Sequence, residues 1–411
     1  MNRPPDEAMG TPKGNGPPRH QGVIRLWYML RTHRILFLLA LLLALSLTIN
    51  VAGMVRYKRP RSLWGIQDVQ PPPRPPIPLS LNYKSDHPPP ALNAPSRFES
   101  VQQLRDWQSR GRSKLLELLA VTLPKDVPPV RLVNRESTKD IIRETLVFEQ
   151  ADGLEVPAFL LRPDDDLPRP GLLAIPGHSQ GILATAGLFE DYQHQMALKL
   201  AEAGYVVLTM EVRGFGYLHP DNSPEAIEPM AYTGLCLIRG TTRLGLTVSD
   251  AVAALNYLQH RREVQTDKLG VVGFSSGCDA AIYLGAVDDR VSTLVADSCV
   301  CSHESNFQIS RNDPYEAVPS IANWLEMSDC LGLLSPRPVL VHWGANDTDP
   351  TGRSAAFNQT SIPTFEAAKR IYEAEGKGDQ LEHFITPDMR HEFDVNAASE
   401  FLARRLPLPR R

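Results

Sequence analysis

Gly273-Phe274-Ser275-Ser276-Gly277 is a G-x-S-x-G pentapeptide between the apolar run Leu269-Gly270-Val271-Val272 and a small-residue helical stretch containing Ala280, Ala281 and Gly285. A strand before and a helix after form the context in which such a serine becomes a nucleophile. A sharp turn at Ser275 forces its backbone out of the common conformations. The residues two positions away on either side then approach so closely that only small side chains fit. The hydroxyl is lifted to the N-terminus of the next helix, an end that favours developing negative charge. The N–H of Ser276 would point at an oxyanion formed there. Standing alone the pentapeptide is a weak signal, since a glycine-rich turn without chemistry reads the same way. Ser276 is the lesser choice of nucleophile, because glycines do not flank it at equal distance.

A serine hydroxyl at neutral pH needs a base within hydrogen-bond reach. The chain supplies an acid and a histidine in the order that follows such an elbow. The strand-like run Val339-Leu340-Val341-His342-Trp343 leads into Gly344-Ala345-Asn346-Asp347. Asp347, just past a strand end and a turn glycine, is the preferred acid, with Asp349 as its rival. By itself an Asn-Asp pair is an ordinary turn former. The run Leu381 to Ile385 leads into Thr386-Pro387-Asp388-Met389-Arg390-His391, which makes His391 the base. His383 lies within that strand and is less able to reach the site. After Gly171 to Ile175 comes Pro176-Gly177-His178-Ser179-Gln180-Gly181, where the N–H of His178 or Ser179 is the second oxyanion donor. His178, His303 and His342 form no metal-ligand pattern, so neither a metal nor a cofactor is expected.

These residues lie far apart in sequence, so elements must bring them together. Strand-like runs are Ile141–Phe148, Val156–Leu161, Gly171–Ile175, Tyr205–Met210, Leu269–Gly273, Val291–Ala296, Val339–Trp343 and Leu381–Ile385. Helix-like runs cover Ser96–Leu119, Leu188–Ala203, Leu246–Leu258, Pro363–Glu375 and Val395–Leu402. The alternation predicts a mostly parallel, eight-stranded sheet with helices on both faces. The Asp152-Gly153 turn predicts an antiparallel opening pair. Ligands of such sheets sit at the carboxyl ends of the strands.

Ahead of this body, residues 35–55 read ILFLLALLLALSLTINVAGMV, with no charge and no polar stripe. At 1.5 Å per residue the run covers the roughly 30 Å hydrocarbon core, so a transmembrane helix is expected. A cleaved signal remains the alternative, with its site near Thr48 to Gly53. Arginines and lysines flank both ends, so the balance of positive charge gives no orientation. A large domain after such an anchor is expected on the non-cytoplasmic side. Residues 1–34 are expected to be a disordered tail and 56–95 a Pro-rich linker, with the catalytic domain over 96–411. The formal charge of −4 over 411 residues offers nucleic acid no electrostatic footing. The five cysteines, Cys236, Cys278, Cys299, Cys301 and Cys330, include no C-x-x-C pair. They are expected to be buried thiols, with a single disulfide left as the alternative.

Together these segments resemble the α/β-hydrolase superfamily, in particular its acetyl xylan esterase and dienelactone hydrolase-like branch. The resemblance runs from Arg97 to the C-terminus. It rests on Glu211-Val212-Arg213-Gly214-Phe215-Gly216, on Arg239-Gly240-Thr241 through Tyr257-Leu258, on the elbow, on Asp288-Asp289-Arg290-Val291 and on Ser335-Pro336-Arg337-Pro338. It implies an α/β-hydrolase fold and the triad Ser275, Asp347 and His391. Two departures stand out: Gly277-Cys278 where many relatives have Gly-Gly, and Pro176-Gly177 where many have His-Gly. Dienelactone hydrolases proper use a cysteine where this chain has Ser275. The expected activity is hydrolysis of a small-molecule carboxylic ester by a membrane-anchored serine hydrolase. The stretch Ser302 to Leu334, with Phe307, Tyr315 and Trp324, is expected to cover the pocket. A peptidase of the prolyl-oligopeptidase type and a non-catalytic, membrane-tethered binding module are the alternatives.

Overall fold

The computed structural model describes residues 88–409, apart from 139, 223–226, 311 and 349–355. The expected tail, membrane span and most of the linker, together with Asp349, lie outside the described residues. Within those residues no helix is long and apolar enough to cross a membrane.

The described strands are β1 (Val130–Thr138), β2 (Ile141–Glu149), β3 (Glu155–Pro163), β4 (Arg169–Ile175), β5 (Val206–Met210), β6 (Val264–Phe274), β7 (Val291–Asp297), β8 (Val339–Gly344) and β9 (Leu381–Thr386). They form one nine-stranded sheet in the order β1-β2-β3-β5-β4-β6-β7-β8-β9. The first three pair antiparallel, β3 also pairs antiparallel with β5, and every pair from β5 to β9 is parallel. The expected eight strands therefore become nine. The addition is β1, whose residues after Val130 are all exposed and carry no apolar alternation. Its partner β2 supplies the backbone ladder that holds it.

Long helices cover the sheet: α1 (Val101–Leu119), α2 (Met196–Glu202), α3 (Pro229–Ile238), α4 (Arg243–Gln259), α5 (Ser276–Val287), α6 (Ala356–Glu373) and α7 (Val395–Arg405). The strands sort their side chains between the two faces with period two. Leu173, Ile175 and Val271 join the core built with α1, α4, α5 and α6. Leu172, Ala174, Val272 and Phe274 join the core built with α2 and α7. Central strands buried on both faces read as continuous apolar runs, which is why they were legible. Thr242 caps α4 by accepting the Gly245 N–H at 2.8 Å, a turn ahead of the expected start. Residues 188–195 are not helical as expected: the helix begins at Met196, after His194 and Gln195 adopt left-handed backbone. Helix α6 starts at Ala356 and carries Pro363 inside it, not at its start.

The chain runs from β4 out to β5 and then crosses to β6 on the other side of β4. That reversal is a topological switch point, where the loops leaving β4 and β6 diverge and open a crevice at the carboxyl edge.

Candidate active site

Ser275 sits between β6 and α5 with φ 53° and ψ −126°, a conformation that side chains rarely adopt. Its neighbours show the steric reason for the motif. A Cβ at Gly273 would lie 2.4 Å from the Gly277 carbonyl oxygen and 2.6 Å from the Ala281 Cβ. A Cβ at Gly277 would lie 2.3 Å from the Ile175 oxygen and 2.5 Å from that of Pro176. The Ser275 N–H donates to the Asp297 carbonyl at 2.9 Å, tying the elbow to the end of β7.

His391 lies on the loop after β9, and its Nε2 is 2.9 Å from Ser275 Oγ. Its Nδ1 is 2.8 Å from Asp347 Oδ2, on the loop after β8. The two loops are joined: Asn346 N–H donates to the Met389 carbonyl at 2.8 Å and Ala345 N–H to that of Thr386 at 3.0 Å. Gly344 permits this approach, because a Cβ there would lie 2.4 Å from the carbonyl oxygens of Met389 and Arg390. The imidazole packs against the rings of Phe274 and Tyr192, with centroids 4.9 and 5.9 Å away. Asp347 is buried. Burial raises its carboxyl above the usual range, and the hydrogen bond with His391 pulls the other way. A carboxylate in that position holds the proton on Nδ1 and leaves Nε2 free to accept one from Ser275.

These side chains open into a cavity of about 910 Å³, lined also by His178, Tyr192, Asp279, Ser298, Asn306 and Asn312. Of the two residues expected to offer the second oxyanion donor, His178 lines this cavity, whereas Ser179 lines an adjoining one of about 420 Å³. Ser276 is the first residue of α5, where backbone N–H groups have no intrahelical acceptor. Two buried residues brace the loop after β4. Gln193 accepts the Gly177 N–H at 2.8 Å and donates to the His178 carbonyl at 3.3 Å. Glu211 accepts the N–H groups of Tyr217 at 3.0 Å and Val212 at 3.2 Å. It sits where a Cβ on either Gly181 or Gly216 would overlap it. Burial pushes its carboxyl up to about 8, against the backbone N–H groups that hold it down.

His342 lies on β8, ahead of the loop that carries Asp347. It is buried beneath the crevice, with Nδ1 2.8 Å from Asp297 Oδ1 and Nε2 2.9 Å from Thr386 Oγ1 and 3.6 Å from Asp394 Oδ2. Burial alone would lower its pKa, but Asp297 and then Asp394 outweigh it and hold the imidazole above its usual value. Asp394 also accepts the N–H groups of Asn396 and Ala397, capping α7 three residues after His391. His303 is buried 4.0 Å from Glu326, and His383 packs on Phe365 of α6, with ring centroids 4.5 Å apart. From the expected cover, Asn306, Ser310 and Asn312 line the Ser275 cavity and Tyr315 the adjoining one. Trp324 instead packs beneath the Lys114 ammonium of α1, 4.0 Å from its ring centre.

The cysteines do not all remain thiols as expected. Cys278 of α5 and Cys299, just after β7, form a disulfide, while Cys236, Cys301 and Cys330 are free and buried. The parallel pairing of β6 with β7 brings the two together.

An antiparallel-then-parallel sheet with a nucleophile elbow at its switch point defines the α/β-hydrolase class. Residues 90–377 match the Abhydrolase family, and the chain belongs to that family. It is 28% identical over 293 residues to the candidate hydrolase YtaP of Bacillus subtilis (strain 168), covering 68% of this chain and 94% of that one. Among solved structures it shares its fold with a candidate acetyl xylan esterase from Bacteroides fragilis NCTC 9343, at TM-score 0.62 and 17% identity over 78% of this chain and 87% of that one. It likewise matches a glucuronoyl esterase from Solibacter usitatus, at TM-score 0.55 and 14% identity over 77% and 97% of the two chains.

Proposed function

We propose that the chain is a serine esterase that hydrolyses carboxylic esters through an acyl-enzyme on Ser275. The observation that carries the reading is the unbroken relay from Asp347 Oδ2 through His391 to Ser275 Oγ, at 2.8 and 2.9 Å. Ser275 Oγ attacks the ester carbonyl while His391 Nε2 takes its proton. The new oxyanion is held by the N–H of Ser276 and by one from the loop at His178 and Ser179. Collapse breaks the bond to the alcohol, which leaves with the proton from His391. Water, deprotonated by the same imidazole, then attacks the acyl group and frees Ser275. Asp347 stabilises the imidazolium in both halves. The fold neighbours that are named esterases point the same way.

The sequence adds a retained membrane anchor at residues 35–55, with the catalytic domain on the non-cytoplasmic side. The Cys278–Cys299 disulfide supports that placement, since such bonds persist in oxidising compartments.

A fluorophosphonate probe tests the reading. The chain is expected to be labelled, and Ser275→Ala to abolish both labelling and hydrolysis of p-nitrophenyl acetate. Absence of labelling in folded protein would leave a binding module, and faster cleavage of peptide amides than of esters would make it a peptidase.

A further inference from the structure

Asp279 lies four residues after Ser275, in the first turn of α5. Asp279 is 4% exposed, and the surface it keeps belongs to the cavity that holds Ser275. Among the described residues no hydrogen-bond donor reaches its carboxyl. Its titratable neighbours include the buried Tyr283, Cys301 and Cys330 and Glu316, which is itself buried and already engaged: it accepts from Asn312 at 2.7 Å and lies 3.2 Å from His178 Nε2. Burial, and then the charge of Glu316, raise the Asp279 carboxyl well above the usual range.

A buried polar group without a partner costs the folded protein free energy, more so when it is charged. The helix N-terminus repays a part of that cost, and burial and Glu316 outweigh it here. An unsatisfied carboxyl facing a substrate cavity is completed by what enters the cavity. We propose that Asp279 is a substrate-binding residue whose carboxyl accepts a hydrogen bond from a hydroxyl or ammonium group carried by the ester bound at Ser275. This rests on the esterase reading of Ser275. The same cavity is lined by the polar side chains of Ser298, Asn306, Ser310 and Asn312, which can hydrogen-bond such a substrate group as well.

Two matched pairs of acetates test the proposal on the full chain. 2-Hydroxyethyl acetate against propyl acetate presents or removes a hydroxyl. 2-(Dimethylamino)ethyl acetate, protonated at neutral pH, against 3-methylbutyl acetate does the same for an ammonium. In at least one pair the donor-bearing ester is expected to show a kcat/KM on the order of tenfold higher, the scale of one charge-assisted hydrogen bond. Asp279→Leu is expected to bring that ratio close to one. Asp279→Asn keeps the hydroxyl preference and loses the ammonium preference, which separates the two chemistries. Asp279→Leu is also expected to melt no lower than the natural chain, because it removes an unsatisfied buried group. Ratios near one for both pairs in the natural chain, ratios unmoved by Asp279→Leu, or destabilisation by both variants would overturn the assignment. If fluorophosphonate fails to label the natural chain, the esterase reading falls first; labelling together with flat ratios sinks only the role of Asp279.

Discussion

Gly277→Ala is a perturbation whose size can be worked from contacts. The added methyl would sit 2.3 Å from the Ile175 oxygen and 2.5 Å from the Pro176 oxygen, and both of these are backbone atoms. Ordinary contact begins near 3.4 Å, so something must retreat by about 1 Å. Neither side has slack. Across the same gap, a Cβ at Gly177 would already lie 3.0 Å from the Phe274 oxygen and from the Ser275 Cβ. The displacement therefore falls on the relative placement of Ser275 and the loop carrying His178. A misplacement of about 1 Å at a reacting centre costs about 10²-fold in turnover. Overpacking of this kind costs about 1–3 kcal/mol of stability. Gly234 in α3 is the control, because a Cβ there meets nothing within 4 Å. Gly234→Ala is expected to be neutral or to stabilise by up to about 1 kcal/mol. The assay is p-nitrophenyl acetate turnover alongside urea denaturation. A Gly277→Ala variant that is folded and as active as the natural chain would refute the argument that elbow packing sets the site.

Two further predictions concern stability. Glu211 has its carboxyl raised from 4.5 to about 8, so the folded state binds the extra proton and stability falls as pH rises through that window. Glu211→Gln should remove this slope, and its deficit relative to the natural chain, read from urea midpoints at about pH 5 and about pH 9, should shrink toward the alkaline end; parallel profiles would contradict it. Replacing both Cys278 and Cys299 by serine removes a cross-link between positions 21 residues apart, which chain entropy values at about 3 kcal/mol. A urea midpoint equal to that of the natural chain would show that the bond does not constrain the unfolded ensemble.

The parts legible in the sequence are those with a local backbone cause. Ser275 carries its own signature, because the turn excludes side chains at Gly273 and Gly277. Asp347 and His391 follow from strand ends and chain order. What stayed hidden depends on neighbours in space. β1 is exposed after Val130 and carries no apolar alternation, so it is a strand only because β2 offers it a ladder. Leu188 and Phe189 resemble the face of a helix yet are about half exposed, and left-handed residues at His194 and Gln195 delay the helix to Met196. That irregular stretch delivers Tyr192 and Gln193 to the site. Asp279 and Glu316 are 37 positions apart, and no spacing rule announces two carboxyls buried together. The disulfide required knowing that β6 and β7 are adjacent.

The buried His342 couples loops that the chain keeps far apart. Asp297 receives the Ser275 N–H on its carbonyl and that of Asp394 on its carboxylate, and His342 rides on the strand that delivers Asp347. Ser275, Asp347 and His391 thus share a single foundation, and none can be re-aimed without disturbing the other two. Asn306, Ser310, Asn312 and Tyr315, which line the cavities, stand outside this foundation, so under the proposed function the shape of the pocket can drift there while the proposed relay holds still.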